Sequence, residues 1–119
     1  MTYSNQSKVE LLGVPEGMLA KFGAVSEEVA RAMAEGVRQR AKADIGLSTT
    51  GIAGPTGGTP EKPIGLVYVG LATDQGSHAE RLQVLGTRDI VKDRAARNAL
   101  NVLRLHLAQL GDWAAGANP

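Results

Sequence analysis

The chain has 119 residues, of which 43% are hydrophobic but only 3% aromatic, and its 13 basic and 12 acidic side chains leave a net charge of +1. This length supports one domain with one core, which must be built from aliphatic side chains. The balanced charge and the shortage of aromatic residues argue against nucleic-acid binding, and no apolar run is long enough to cross a membrane. The absence of cysteine excludes disulfides and thiolate metal sites and suits the cytoplasm. We therefore expect a small-molecule ligand and no metal.

Two helices are predicted in the first part of the chain. Pro15 suits a first helical position and Gly23 the residue after a helix, which predicts a short helix over residues 15–22. Ser26 can cap a second helix, because two glutamates follow it and their charge is favourable at the positive end of the helix dipole. Apolar residues recur at helical spacing from 29 to 41, so one face of this helix is expected to pack on a core.

Three strands and a last helix are predicted after residue 43. Residues 44–50 alternate in polarity, and residues 66–73 are apolar on both faces, which is typical of a central, covered strand. A turn at 74–77 and an alternating segment at 78–85 predict an antiparallel hairpin whose second strand lies nearer the sheet edge. The last helix begins near residues 87–88, and Gly111 is expected to end it, which leaves a flexible tail over 112–119.

The most informative segment connects the first two predicted strands and reads TTGIAGPTGGTPEKPIG from Thr49 to Gly65. Its glycines permit close approach of a ligand to the backbone, and successive N–H groups in turn conformations can bind an anion. It is not a Walker loop, because Lys62 precedes a strand instead of opening a helix. Composition alone leaves two interpretations of this segment open. It is either a loop that binds a phosphate or carboxamide, or a rigid connection that binds no ligand.

Four blocks of sequence, in order, resemble the CinA C-terminal domain family. They are Thr2-Tyr3-Ser4-Asn5-Gln6-Ser7-Lys8, Gly23-Ala24-Val25-Ser26, Thr50-Gly51-Ile52-Ala53-Gly54-Pro55 with Gly57-Gly58, and Glu61-Lys62-Pro63-Ile64-Gly65-Leu66-Val67-Tyr68. The resemblance covers nearly the whole chain and implies an α/β fold, a layered α/β/α sandwich with a mixed sheet, over residues 1–111. The activity it implies is hydrolysis of nicotinamide mononucleotide to nicotinate mononucleotide and ammonia, without a cofactor.

The resemblance also implies a set of site residues. Lys8 is the base that takes the proton of a serine nucleophile, and Arg88 lies near the substrate phosphate, although Thr87 stands before it where the family usually has aspartate. The other implied residues are Tyr3 and Thr50 as supporting polar groups and Gly51, Gly54, Gly57 and Gly58 as substrate-binding backbone. A lysine acts as a base only where burial or a neighbouring charge lowers its pKa, so Lys8 is expected to be partly buried. N–H groups of residues 50–54 are expected to face the oxyanion that forms on the carboxamide.

The family's nucleophile is a serine in a Glu-Ser-Cys-Thr-Gly-Gly block, and this sequence contains no such block. We therefore expect the domain to be truncated at its N-terminus, with an open sheet edge that promotes homo-oligomer formation. Two functions stay open. One is an amidohydrolase domain whose serine comes from a missing segment or a separate chain, and the other is a non-catalytic remnant that binds a nucleotide or a partner. A Ser4–Lys8 dyad within the chain is a weaker alternative.

The residues alone also permit simpler interpretations. Lysines are seldom buried without a partner, so Lys8 alone is more simply a solvated side chain. Thr50 is then a strand-end threonine bonded to its own loop, and Arg88 a solvated residue at a helix start. The two histidines, His78 and His106, have no partner at metal-ligand spacing.

Overall fold

The computed structural model describes residues 8, 12–54 and 57–117, with side chains as far as residue 108. The elements in chain order are helix α1 (Glu16–Phe22), helix α2 (Glu27–Ala41), strand β1 (Gly46–Gly51), strand β2 (Leu66–Thr73), strand β3 (Gly76–Gln83) and helix α3 (Arg88–Ala117). Helices α2 and α3 pack against opposite faces of the sheet, so the predicted α/β class and its layered arrangement are confirmed.

The three described strands form one sheet in the order β1-β2-β3, with antiparallel pairing throughout. The predicted central position of β2 and its hairpin with β3 are confirmed. The predicted mixed sheet is not found among these strands. A parallel pair needs a long crossover, usually through a helix, whereas β3 follows β2 after a turn formed by Asp74 and Gln75 alone.

Helix α2 begins where the sequence predicts, because the Ser26 hydroxyl accepts a hydrogen bond from the Val29 N–H at 3.2 Å. The helix lies very close to the sheet. The Ser48 hydroxyl donates to the Ala30 carbonyl at 2.6 Å, and a Cβ atom added at Gly70 would lie 2.3 Å from the same oxygen. Glycine at position 70 therefore sets the distance between helix and sheet.

Gly70→Ala is expected to destabilise the domain by about 1–3 kcal/mol, because the added methyl group forces α2 away from the sheet. Urea denaturation of wild type and variant measures this loss. Gly17→Ala is the matched control, since a Cβ at Gly17 in α1 meets no atom within 4 Å, and alanine is favoured over glycine in a helix by up to about 1 kcal/mol. Equal stability of the Gly70 variant and wild type would contradict the close packing.

The opposite face of β2 forms the main apolar core with α3. Alternate residues of the strand, Val67, Val69 and Leu71, point to this side and are almost fully buried. The α3 residues packed there are Val91, Ala95, Ala99 and Val102, which share one helical face. This packing positions the first turns of α3 beside the sheet.

Some boundaries differ from the predicted ones. Strand β1 starts at Gly46, two residues later than predicted, and β3 starts at Gly76, because the connecting turn is only two residues long. Helix α3 continues past Gly111 to Ala117, so Gly111 does not end it. A single glycine inside a helix costs only about 1 kcal/mol, which helix packing and propagation can offset. Flexibility of residues 112–119 stays a prediction. Among the described residues, none of the helices combines the length and hydropathy of a membrane span.

Candidate active site

A cavity of about 490 Å³ lies beside β1, between Lys8 and residues 24–25 on one side and the start of α3 on the other. Among the described residues its polar lining side chains are Lys8, Thr49, Thr50, Arg88 and Lys92, and the other described lining residues are small or apolar. A mostly apolar concave surface with a few polar groups is the usual form of a small-molecule site.

Lys8 is buried, with 8% of its surface exposed, and it lines this cavity. Burial favours the neutral amine over the ammonium ion and so lowers the pKa of Lys8 from its ordinary value of 10.5. Its backbone is held by the Val14 N–H, which donates to the Lys8 carbonyl at 3.0 Å. Burial therefore makes the neutral, proton-accepting form of Lys8 easier to reach than in a solvated lysine.

Thr50 lies at the end of β1 and is also buried. Its hydroxyl donates its hydrogen to the Ala24 carbonyl at 2.8 Å. The hydroxyl oxygen can therefore still accept a hydrogen bond from another group. The two preceding carbonyls are also bonded: Gly23 accepts from the Ser26 hydroxyl at 2.9 Å, and Phe22 accepts from the Lys62 ammonium. Successive side-chain hydrogen bonds thus fix the segment that forms one wall of the cavity.

The glycine-rich connection is fixed at its base. The Ile52 N–H donates to the Leu66 carbonyl at 2.9 Å, and the Gly65 N–H donates to the Ile52 carbonyl at 2.6 Å. Gly54 has φ of +85°, a left-handed conformation that favours glycine. Its carbonyl accepts a long hydrogen bond, 3.4 Å, from Arg88 Nη1. The start of the connection is therefore tied both to the sheet and to α3.

Arg88 and Lys92 lie in the first turns of α3, four residues apart and so on one face of the helix. The sequence interpretation assigned a role to Arg88 but none to Lys92. The spacing from Arg88 is the signal that identifies Lys92, but a lysine beside Asp93 on an amphipathic helix is more simply interpreted as solvated. Only the packing of α3 beside β1 shows that both cations line the cavity.

The structure brings together Lys8, Thr50, Gly51 and Arg88 from the predicted set, all of which line this cavity. Gly54 is connected to the cavity by the hydrogen bond between its carbonyl and Arg88, which lines the cavity. Gly57 and Gly58 are exposed and do not line it, so their binding role stays a prediction. Tyr3 and Ser4 lie outside the described residues. Within the described part of the chain, no group of three His, Asp or Glu side chains is placed to hold a metal ion.

A buried lysine, a threonine and the cations Arg88 and Lys92 around one cavity form a candidate small-molecule site with a candidate general base. Comparison with known families is more specific. Residues 1–107 match the family described as CinA C-terminal domain, and the chain belongs to that family.

Relatives and solved structures agree with this assignment. The chain is 54% identical over 110 residues to the CinA-like protein of Kosmotoga olearia, which covers 92% of the chain and 27% of that protein. It superposes with a TM-score of 0.83 on the competence/damage inducible protein CihA from Agrobacterium tumefaciens, at 37% identity, covering 87% of this chain and 64% of that one. A CinA superfamily protein from Klebsiella pneumoniae 700603 gives a TM-score of 0.85 at 32% identity, covering 91% and 68% of the two chains.

The chain thus spans about a quarter of the length of the curated relatives it matches and about two thirds of the solved chains. The similarity concerns that part of those longer proteins.

Proposed function

We propose that this domain supplies the general base and the nucleotide-binding cavity for hydrolysis of the nicotinamide mononucleotide carboxamide to the carboxylate and ammonia. The observation that carries the proposal is the position of Lys8, which is buried, has a lowered pKa and shares one cavity with Thr50 and Arg88. The family resemblance supplies the reaction and the identity of the substrate.

In the proposed mechanism, the neutral Lys8 amine takes the proton of a serine hydroxyl while the serine oxygen attacks the carboxamide carbon. The tetrahedral intermediate collapses by breaking the C–N bond, and the Lys8 ammonium returns the proton to the leaving ammonia. Lys8 then takes a proton from water while the water oxygen attacks the acyl ester. The Lys8 ammonium gives this proton to the serine oxygen as the ester C–O bond breaks, which restores the serine hydroxyl and releases the nicotinate nucleotide. The serine of this scheme belongs to the Glu-Ser-Cys-Thr-Gly-Gly block, which the sequence lacks.

The remaining cavity groups fit the same reaction. The Thr50 hydroxyl, oriented by its bond to Ala24, has lone pairs that can accept a hydrogen bond from the Lys8 ammonium in the charged intermediate. Arg88 lies at the α3 side of the cavity and would bind the 5′-phosphate of the nucleotide. The proposal therefore places the carboxamide toward Lys8 and the phosphate toward α3.

The second candidate function is binding of a nucleotide or partner without catalysis. The cavity lining favours it, because the described hydroxyl and cationic groups can hold a nucleotide without any chemical step. Both functions use the same cavity, and they differ only in whether a serine reaches Lys8.

To test the proposal, we would fuse to this chain an N-terminal segment that carries the Glu-Ser-Cys-Thr-Gly-Gly block and measure ammonia release from nicotinamide mononucleotide. We expect no release by the unfused chain, because its sequence lacks the serine block, and turnover by the fusion. The same fusion with alanine in place of the block's serine is the control. A fusion that unfolds cooperatively and binds the nucleotide but releases no ammonia would favour the second function.

A further inference from the structure

The charge of the cavity is much more one-sided than that of the chain. The whole sequence has 13 basic and 12 acidic residues, which nearly cancel. The described residues that line the cavity include two exposed cations, Arg88 and Lys92, as well as the buried Lys8, and neither aspartate nor glutamate. A concave surface that carries positive charges among apolar walls concentrates anions.

The surroundings of Lys92 leave its charge available to the cavity. The neighbouring Asp93 forms an ion pair with Arg97 Nε at 3.0 Å on the exposed side of α3. The preceding residue, Val91, is 2% exposed and packs in the core, which fixes the rotation of this helical turn about its axis. Helical spacing then places Lys92 on the same face as Arg88, one turn further from the helix start.

We propose that Lys92 is a specificity-determining residue that binds, together with Arg88, the dianionic group of a phosphate monoester. This inference rests on the proposed function for the orientation of the ligand, but it concerns a different property, the preference for phosphorylated over unphosphorylated ligands. Arg88 presents a planar fork of donors to phosphate oxygens, whereas Lys92 contributes a point charge. Together the two cations match the charge of a phosphate monoester dianion.

The test is calorimetric titration of nicotinamide mononucleotide, nicotinamide riboside and ribose 5-phosphate into wild type, Lys92→Gln, Lys92→Arg and Arg94→Gln. We expect Lys92→Gln to weaken binding of both phosphorylated ligands about twofold to fivefold, because Lys92 is exposed and its charge is partly screened by solvent, and to leave binding of the riboside unchanged. Lys92→Arg should restore most of the affinity. Arg94 is exposed, as Lys92 is, but it does not line the cavity, so Arg94→Gln removes the same charge and should have little effect.

Salt provides a second readout of the same contact. Wild-type affinity for ribose 5-phosphate should fall more steeply with ionic strength than that of Lys92→Gln, because one charge interaction has been removed. A loss of overall structure would weaken binding of all three ligands alike. It would not change the salt dependence of the phosphorylated ligands alone.

The inference is overturned if wild type binds neither phosphorylated ligand. It is also overturned if Lys92→Gln weakens binding of these ligands no more than Arg94→Gln does, or if it weakens binding of the riboside to the same extent. Failure of the proposed function has a different signature. If nicotinamide mononucleotide binds no tighter than ribose 5-phosphate but both depend on Lys92, the phosphate site stands and the assignment of the nicotinamide substrate is wrong.

Discussion

Lys8→Arg in the serine-containing fusion is expected to lower kcat for deamidation of nicotinamide mononucleotide by about 10²–10⁴-fold, the usual contribution of a general base. Arginine keeps the positive charge and much of the length of lysine, but its guanidinium does not deprotonate in proteins. The variant thus removes proton acceptance and keeps the charge. Steady-state kinetics with ammonia detection measures the effect, and unchanged nucleotide affinity in calorimetry shows that the cavity is intact. A variant with wild-type kcat would exclude Lys8 as the base.

The pH profile separates a base from a merely structural lysine. Burial lowers the pKa of Lys8 below 10.5, so the fraction of neutral amine, and with it kcat, should rise with pH and reach a plateau below pH 10.5. The same shift affects stability. Below the lowered pKa the folded state bears the cost of burying an ammonium ion, and this cost disappears as the pH rises from the lowered pKa to 10.5. The unfolding free energy of wild type should therefore rise with pH in this window, whereas Lys8→Arg lacks that rise.

Much of the fold follows from local sequence patterns because those patterns coincide with burial. Ser26 followed by two glutamates fixes the start of α2, and the unbroken apolar run of β2 requires cover on both faces. Element ends are harder to predict. Gly111 lies within α3, because a glycine's local cost does not decide whether the helix continues, and the pattern of β1 does not reveal that pairing with β2 starts at Gly46.

The candidate site was predictable where a short block of sequence carries it. Lys8 and Thr50 come from separate blocks and Arg88 from a match outside the blocks, and only the fold shows that they share a cavity. Lys92 and the wall at Ala24 were not predicted, since neither residue type is distinctive at its position. Both acquire their place from tertiary contacts: α3 packs Val91 into the core, and Thr50 bonds to the Ala24 carbonyl.

Arg88→Ala is expected to weaken binding of nicotinamide mononucleotide by tenfold or more. The guanidinium lies at the cavity, where its contact with the Gly54 carbonyl is long, 3.4 Å, and shorter charge-assisted bonds to phosphate would replace it. Hydrogen bonds to charged groups contribute on the order of 1.5–3 kcal/mol each, and about 1.4 kcal/mol corresponds to tenfold. Calorimetric titration of wild type and variant measures the loss. Arg104→Ala, an exposed arginine of α3 bonded to Asn101, is the control.

Gly54→Val distinguishes loss of the phosphate contact from disturbance of the loop. Gly54 has φ of +85°, and an added Cβ would lie 2.9 Å from Ile64 Cγ2, so valine must displace the backbone of the connection. This displacement should weaken binding of nicotinamide mononucleotide and nicotinamide riboside together, because Gly51 and Ala53 of the connection line the cavity that both ligands would enter. Arg88→Ala should weaken binding of the phosphorylated ligand only. If Arg88→Ala changes neither affinity, or if wild type binds the nucleotide no better than the riboside, the phosphate is not bound at the start of α3.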